Sequence, residues 1–181
     1  MRQKSVNSKK GIVLVGHGAV AKDCPRELIT QLKGLEARRG ETGTPPTAPE
    51  LALEAQIRYW PRTPASDPYR VGLEALAETL RPLLPGVLLT VAYLEFCAPT
   101  LEEMVDDLIV AGATDIVVVP SMLTPGGVHS EVDIPAILER LRSQHAEVTL
   151  DYAWPFDVRL LSRLLAEHLR PFLADDTAIS R

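Results

Sequence analysis

Long apolar runs are missing from this 181-residue chain. Its longest clean ones are short, such as Ile116 to Val119, far below the roughly 20 residues that cross a bilayer. The opening MRQKSVNSKK is basic and polar, and only a short strand-like run follows it, so no secretory leader is expected there. A soluble, cytoplasmic protein with no membrane partner is the expectation. Cysteine is scarce: Cys24 and Cys97 stand far apart, in no CxxC or Cys/His spacing. That excludes a zinc or iron–sulfur cluster of the usual kinds and reads as buried or half-buried thiols in a reducing compartment. A basic excess is also lacking. The 19 Lys and Arg against 24 Asp and Glu leave a formal charge of −5. With no basic stripe, nucleic acid is not an expected partner. The glycine fingerprint for dinucleotides is incomplete as well, because the position of its third glycine is Ala21.

What is present is ordinary globular composition, 46% apolar and 24% charged. The length fits one domain, with room for an insertion. Gly11 to Val15 is a β-branched run that stops at Gly16 and reads as a strand buried on both faces. Cys24 to about Arg38 turns helical, with Leu28, Leu32 and Leu35 on one face. Gly40 to Pro49 is too rich in Gly, Pro and Thr for regular structure. Glu50 to Tyr59 can form a short helix, and Pro61, Pro64 and Pro68 break the chain again. A helix is expected over Pro68 to Leu84, a strand over Val87 to Phe96, and a helix over Thr100 to Ala111, with Thr100 as cap and Glu103 three residues on. Strands at Asp115 to Pro120 and Val148 to Trp154 alternate with helices at Val132 to Ser143 and Val158 to Leu173. This order predicts an α/β fold with a parallel sheet of about four strands and helices on both faces. Residues 1–10 and 174–181 read as polar tails, 11–173 as the domain, and about 39–67 as an insertion.

Ligands of open α/β sheets bind beyond the carboxyl ends of the strands. His17 falls there between Gly16 and Gly18, Glu95 falls at the end of strand two, and His129 follows the glycine loop after strand three. His17 is either presented to a ligand or a turn histidine bonding a neighbouring carbonyl. Glu95 is either paired structurally or functional. Phosphohistidine chemistry would need an arginine just before His17, and Gly16 stands there instead. Asp133 follows His129 by four residues, on the same face of a helical start. His129, Glu131 and Asp133 can form a network that fixes an imidazole tautomer. His145 and His168 read as surface residues. Two imidazoles and a carboxylate suit borderline divalent ions such as Co, Ni, Fe and Zn, and the same groups can accept protons.

Several of these segments resemble a known family. Val13-Leu-Val-Gly16-His17-Gly18, Leu94-Glu95 with Pro99, Val118-Val-Pro120, and Gly126-Gly127-Val-His129-Ser-Glu-Val-Asp133-Ile134-Pro135 are similar to the class II tetrapyrrole chelatases. More narrowly, they resemble the short sirohydrochlorin chelatases. The His-x-x-x-Asp-Ile-Pro element after a glycine loop is the most specific piece. The resemblance covers about 11–38 and 68–173, and 39–67 has no counterpart in short members. It implies a flavodoxin-like, three-layer α/β sandwich that pairs as a homodimer. It implies an enzyme, a lyase that inserts cobalt, nickel or iron into sirohydrochlorin or a related tetrapyrrole, in cobalamin or siroheme biosynthesis. By the same resemblance, His17 and His129 bind the metal and face the macrocycle, and Glu95 helps with metal delivery or proton removal. Gly16, Gly18, Gly126, Gly127 and Asp133 line the substrate. The metal is a substrate, and neither nucleotide nor iron–sulfur cluster is implied. A poly-carboxylate substrate needs cations, for which Lys22, Arg26, Arg58, Arg62, Arg70 and Arg159 are candidates. Ala19 replaces the family's usual serine after Gly-His-Gly, removing a hydroxyl. That departure and the insertion motivate an alternative, a metal or tetrapyrrole carrier or sensor on the same fold, and an unrelated flavodoxin-like enzyme stands as a third reading.

Overall fold

The computed structural model describes residues 8–173. The expected C-terminal tail 174–181 and all but the last three residues of the expected N-terminal tail lie outside the described residues. Strand β1 (Lys10–Gly16) runs through the centre of a four-stranded parallel sheet, with β2 (Leu88–Tyr93) on one side and β3 (Asp115–Pro120) on the other. Beyond β3 lies β4 (Thr149–Tyr152), giving the order β2-β1-β3-β4. In register, Val15 pairs with Ala92 and with Pro120, so the ends of β1, β2 and β3 finish at one level.

Connections between adjacent parallel strands are right-handed, and this decides which face each helix covers. Helix α3 (Pro68–Leu80) leads leftward into β2 and packs Leu73 and Ala77 on Leu14, Leu89 and Tyr93. Helices α4 (Leu101–Val110) and α5 (Ile134–Gln144) lie on the opposite face. There Leu101, Val105, Leu108, Ile134, Leu138 and Leu141 close over Val13, Val15, Ile116, Val118 and Leu150. The expected sandwich is therefore present, but one part of it differs. Helix α6 (Val158–Leu173) has no buried residue and leaves the β3–β4 half of the α3 face bare. Along β3, Ile116, Val118 and Pro120 are buried, while Asp115, Val117 and Val119 are only half-buried.

Helix α1 (Arg26–Thr42) runs four residues further than expected, through Gly40, and ends where Gly43 takes a left-handed φ of 63°. Helix α2 (Ala48–Arg58) starts at a capping box in which Thr47 and Glu50 satisfy each other's backbone N–H groups. The segment read as irregular is thus largely an α1–α2 hairpin. Its inner side, with Leu32 and Ile57, packs on Ala21 and Cys24. Helix α3 stops at Leu80, short of the expected Leu84, and Arg81–Leu83 tightens into a 3-10 turn. At Thr100 the expected cap forms, again as a capping box with Glu103. Both cysteines are buried and unbridged.

Candidate metal centre

His17 leaves β1 one residue past Gly16, and two contacts fix it. Its N–H donates to the Tyr69 hydroxyl at 2.8 Å. Its Nδ1 lies 2.8 Å from the Gly18 carbonyl oxygen. A carbonyl can only accept, so Nδ1 carries the proton and Nε2 keeps its lone pair. The turn histidine and the presented imidazole, two readings of the sequence, are the same residue here.

Glu95 is not on β2, which ends at Tyr93, but in the turn after it. The pairing of β1 with β2 continues past both strands: Leu94 N–H donates to Gly16 O at 3.1 Å, and Glu95 N–H to His17 O at 2.8 Å. Gly18 has a φ of 92°, and a Cβ there would lie 1.9 Å from the Glu95 carbonyl oxygen. Glycine at 18 is therefore what lets the two turns close on each other. At Gly16 a Cβ would lie 2.5 Å from Leu73 Cδ2. Close packing on α3, not a facing ligand, accounts for that glycine.

The third turn follows β3. Residues His129–Asp133 form a π-helical turn that leads into α5, rather than the α-helix expected from Val132. It holds His129 Nδ1 2.7 Å from Asp133 Oδ2. The carboxylate fixes the Nδ1–H tautomer, so Nε2 again points outward. Asp133, expected to line the substrate, is engaged with His129. Glu131 accepts a 2.7 Å bond from Gly126 N–H, where φ is 95°, and so holds the glycine loop. Gly127 is exposed, and its carbonyl accepts from Glu131 N–H at 3.1 Å. Tyr152 donates to Ser130 O at 2.8 Å, with its phenol pushed up to about 12 chiefly by burial.

These turns bring three groups together. His17 Nε2 lies 3.8 Å from one Glu95 oxygen, and His129 Nε2 lies 4.0 Å from the other. The two imidazoles meet edge to face at 4.6 Å. One ligand atom from each residue lies within 4.8 Å of the others. Metal bonds to imidazole nitrogen or carboxylate oxygen run about 2.0–2.2 Å, so atoms about 3–4 Å apart can share one ion. The gaps are too long for direct hydrogen bonds, and small side-chain rotations would let the three groups share one cation. The side chains of His17, Glu95 and His129 are 38%, 42% and 19% exposed, so the centre opens to solvent.

The α1–α2 hairpin borders this centre. A recess of about 210 Å³ between the α1–α2 hairpin and Glu95 is lined by Glu36, Glu50 and Glu54, with Arg39 beside them. Burial, and then the Glu95, Glu50 and Glu54 charges, push the Glu36 carboxyl up against the lowering effect of Arg39. A larger recess of about 560 Å³, between α1 and α2, holds none of the three groups.

Arg62 has a role the sequence did not reveal. Its buried guanidinium donates to Ala19 O at 2.8 Å, to Phe96 O and to the Asp67 carboxylate. It thus ties the His17 turn to the Glu95 turn and is not available to a ligand. Tyr69 and Asp67 went equally unmarked, since no motif surrounds them. Among the other candidate cations, Arg58 pairs with Glu54, Arg70 with Glu74 and Arg159 with Asp157. Lys22 and Arg26 are exposed and form no ion pair among the described residues. His168 is exposed as expected, but His145 is half-buried and lies 3.0 Å from Asp106.

Comparison with known proteins follows the same lines. A sirohydrochlorin cobaltochelatase from Priestia megaterium is 35% identical over 73 residues, which is 40% of this chain and 24% of the relative. The match thus spans about a quarter of that relative's length. The solved structure of a CbiX protein from Marinobacter aquaeolei VT8 superposes with a TM-score of 0.51 at 22% identity, covering 90% of this chain and 98% of the other. The sirohydrochlorin chelatase SirB from Bacillus subtilis subspecies spizizenii, solved with cobalt, gives 0.47 at 20% identity, covering 88% of this chain and 50% of that one. The CbiX family pattern matches residues 66–170, more than half of the chain and inclusive of Glu95, His129 and Asp133. The chain belongs to the CbiX family.

Proposed function

We propose that this protein inserts a divalent metal ion (cobalt, nickel or iron) into sirohydrochlorin or a closely related tetrapyrrole, without nucleotide hydrolysis. The observation that carries the reading is the convergence of His17, Glu95 and His129 at a shared-cation spacing. The name of the curated relative, a sirohydrochlorin cobaltochelatase, supports the same reading. Metal insertion requires loss of two pyrrole N–H protons. His17 and His129 each present a free Nε2 lone pair, and imidazole accepts protons near neutral pH. Glu95 is the one anion of the trio and would offset the charge of the arriving ion. Replacing its water one ligand at a time lowers the cost of desolvating it. The open edge lets a flat macrocycle approach, with Gly126 and Gly127 clearing space beside His129. In this reading Gly18 and Asp133 hold the ligands, and Gly16 shapes the strand beneath them.

Residues 11–173 would act as one unit, with 39–67 as its insertion, and the protein would work as a cytoplasmic homodimer. Purified protein mixed with sirohydrochlorin and Co²⁺, then Ni²⁺ and Fe²⁺, should speed the absorbance change over a protein-free control. His17→Ala and His129→Ala should abolish that acceleration while leaving the fold intact. Full turnover in both variants would overturn the assignment. The carrier or sensor reading draws on Ala19, which offers no hydroxyl and whose carbonyl is taken by Arg62. A shifted tetrapyrrole spectrum with no acceleration by any metal would favour it.

A further inference from the structure

Tyr69 holds the His17 turn with half of its hydrogen-bonding capacity and leaves the other half unused. Its hydroxyl oxygen accepts from His17 N–H at 2.8 Å, and its own O–H meets no acceptor among the described residues. The residue stands in the first turn of α3 and is 37% exposed. Holding a backbone N–H takes only an acceptor. A phenol adds a donor, and accepting the His17 N–H polarises its O–H and strengthens it.

The placement suits an anion that the metal centre itself repels. The carboxylates of a tetrapyrrole hang from the edge of the ring. With the ring centre over His17, Glu95 and His129, they come down beside the trio and not in it. Two sides of the trio are acidic. Beyond Glu95 the α1–α2 recess brings Glu36, Glu50 and Glu54, and beside His129 stand Glu131 and Asp133. Like charges there oppose a carboxylate. Tyr69 reaches His17 from α3, on the face of the sheet opposite α5 and the His129 turn that leads into it. The acids on this side, Asp67 and Glu74, are held by Arg62 and Arg70. Lys22 is left over. Its backbone N–H donates to Ser66 O at 2.8 Å, which fixes it beside the start of α3, and it is exposed and in no ion pair among the described residues.

We propose that the Tyr69 hydroxyl donates a hydrogen bond to a carboxylate of the tetrapyrrole, with the Lys22 ammonium as its charge partner. One edge of the ring is thereby anchored while its centre meets the metal. The assignment rests on the insertion reading above and adds the group that orients the substrate.

Metal-free sirohydrochlorin, titrated into the full chain and followed by its absorbance, reads this contact without the reaction. Tyr69→Phe should weaken binding about 10-fold, the scale of a hydrogen bond to a charged group. Lys22→Met should weaken it less and flatten its salt dependence. An unchanged salt dependence would overturn the Lys22 pairing. Titration with Co²⁺ alone separates an anchor from a prop. Tyr69→Phe should keep the wild-type Co²⁺ affinity, and a parallel loss of both affinities would place Tyr69 behind His17 and overturn the anchor. In turnover, Tyr69→Phe should raise KM for the tetrapyrrole and leave kcat unchanged. Wild-type sirohydrochlorin affinity in Tyr69→Phe would overturn this inference alone. A wild-type protein that binds no sirohydrochlorin would overturn the insertion reading with it.

Discussion

The carbonyl oxygen of Glu95 fills the space a side chain at Gly18 would need, 1.9 Å from where its Cβ would stand. One absent methyl group therefore sets the distance between the His17 and Glu95 turns. Gly18→Ala faces both that clash and a φ of 92°. The backbone term alone costs about 1–3 kcal/mol. Thermal unfolding should show a clear fall in Tm, and Co²⁺ titration a weaker site. Wild-type values for both would mean that the two turns part without cost.

Asp133 acts through His129, and its substitutions should separate position from charge. Asp133→Ala removes the Nδ1 acceptor and should weaken Co²⁺ binding about 10–100-fold, the usual effect of losing such a partner. Asp133→Asn keeps an acceptor oxygen and should retain most of the affinity. Calorimetric titration measures both, and equal affinities for the Ala and wild-type proteins would remove Asp133 from the site.

Arg62 and Asp67 form an ion pair whose side chains are 3% and 1% exposed. Arg62→Met alone strands the Asp67 charge and should cost about 3–5 kcal/mol. Adding Asp67→Leu should restore most of that. The remaining deficit, about 1 kcal/mol, reflects the lost cap, since Asp67 Oδ1 also accepts from Arg70 N–H at the start of α3. Denaturant unfolding of the three proteins checks the order, and a double variant no more stable than the single would contradict it.

Burial pushes the Cys97 thiol up to about 11 from 9.0, with Arg62 working against it. The folded state therefore holds this proton more tightly than the unfolded chain does. Its contribution is fully present below pH 9 and is lost as pH rises toward 11. Stability should decline over that window, and Cys97→Ala should flatten the decline. A slope unchanged by the substitution would place the titration elsewhere.

The four strands and the candidate trio were legible because each carries a local signal. A β-branched run ending in Gly-His-Gly, an apolar strand followed by a carboxylate, and a glycine loop before His-x-x-x-Asp each mark a strand end. Three details were hidden by physics that acts at a distance. Glu95 sits past β2 because Tyr93 N–H bonds Pro99 O, a contact no periodicity announces. The α1 helix passes through Gly40 because tertiary packing of Leu32 and Ile57 outweighs a weak helix former. Arg62 looked like a free surface cation because its three acceptors come from residues distant in sequence or from a side chain with no motif.

Both imidazoles are locked through Nδ1, so the proposed ligand set facing an incoming ion would be two nitrogens and one carboxylate. Magnesium and calcium, the abundant cations of cells, favour all-oxygen sites and gain little from such a set. In the proposed reaction, the Gly18 carbonyl and the Asp133 carboxylate would thereby act as a filter against the bulk electrolyte. Among cobalt, nickel and iron the donor types do not discriminate, and the choice passes to whichever ion the cell makes available.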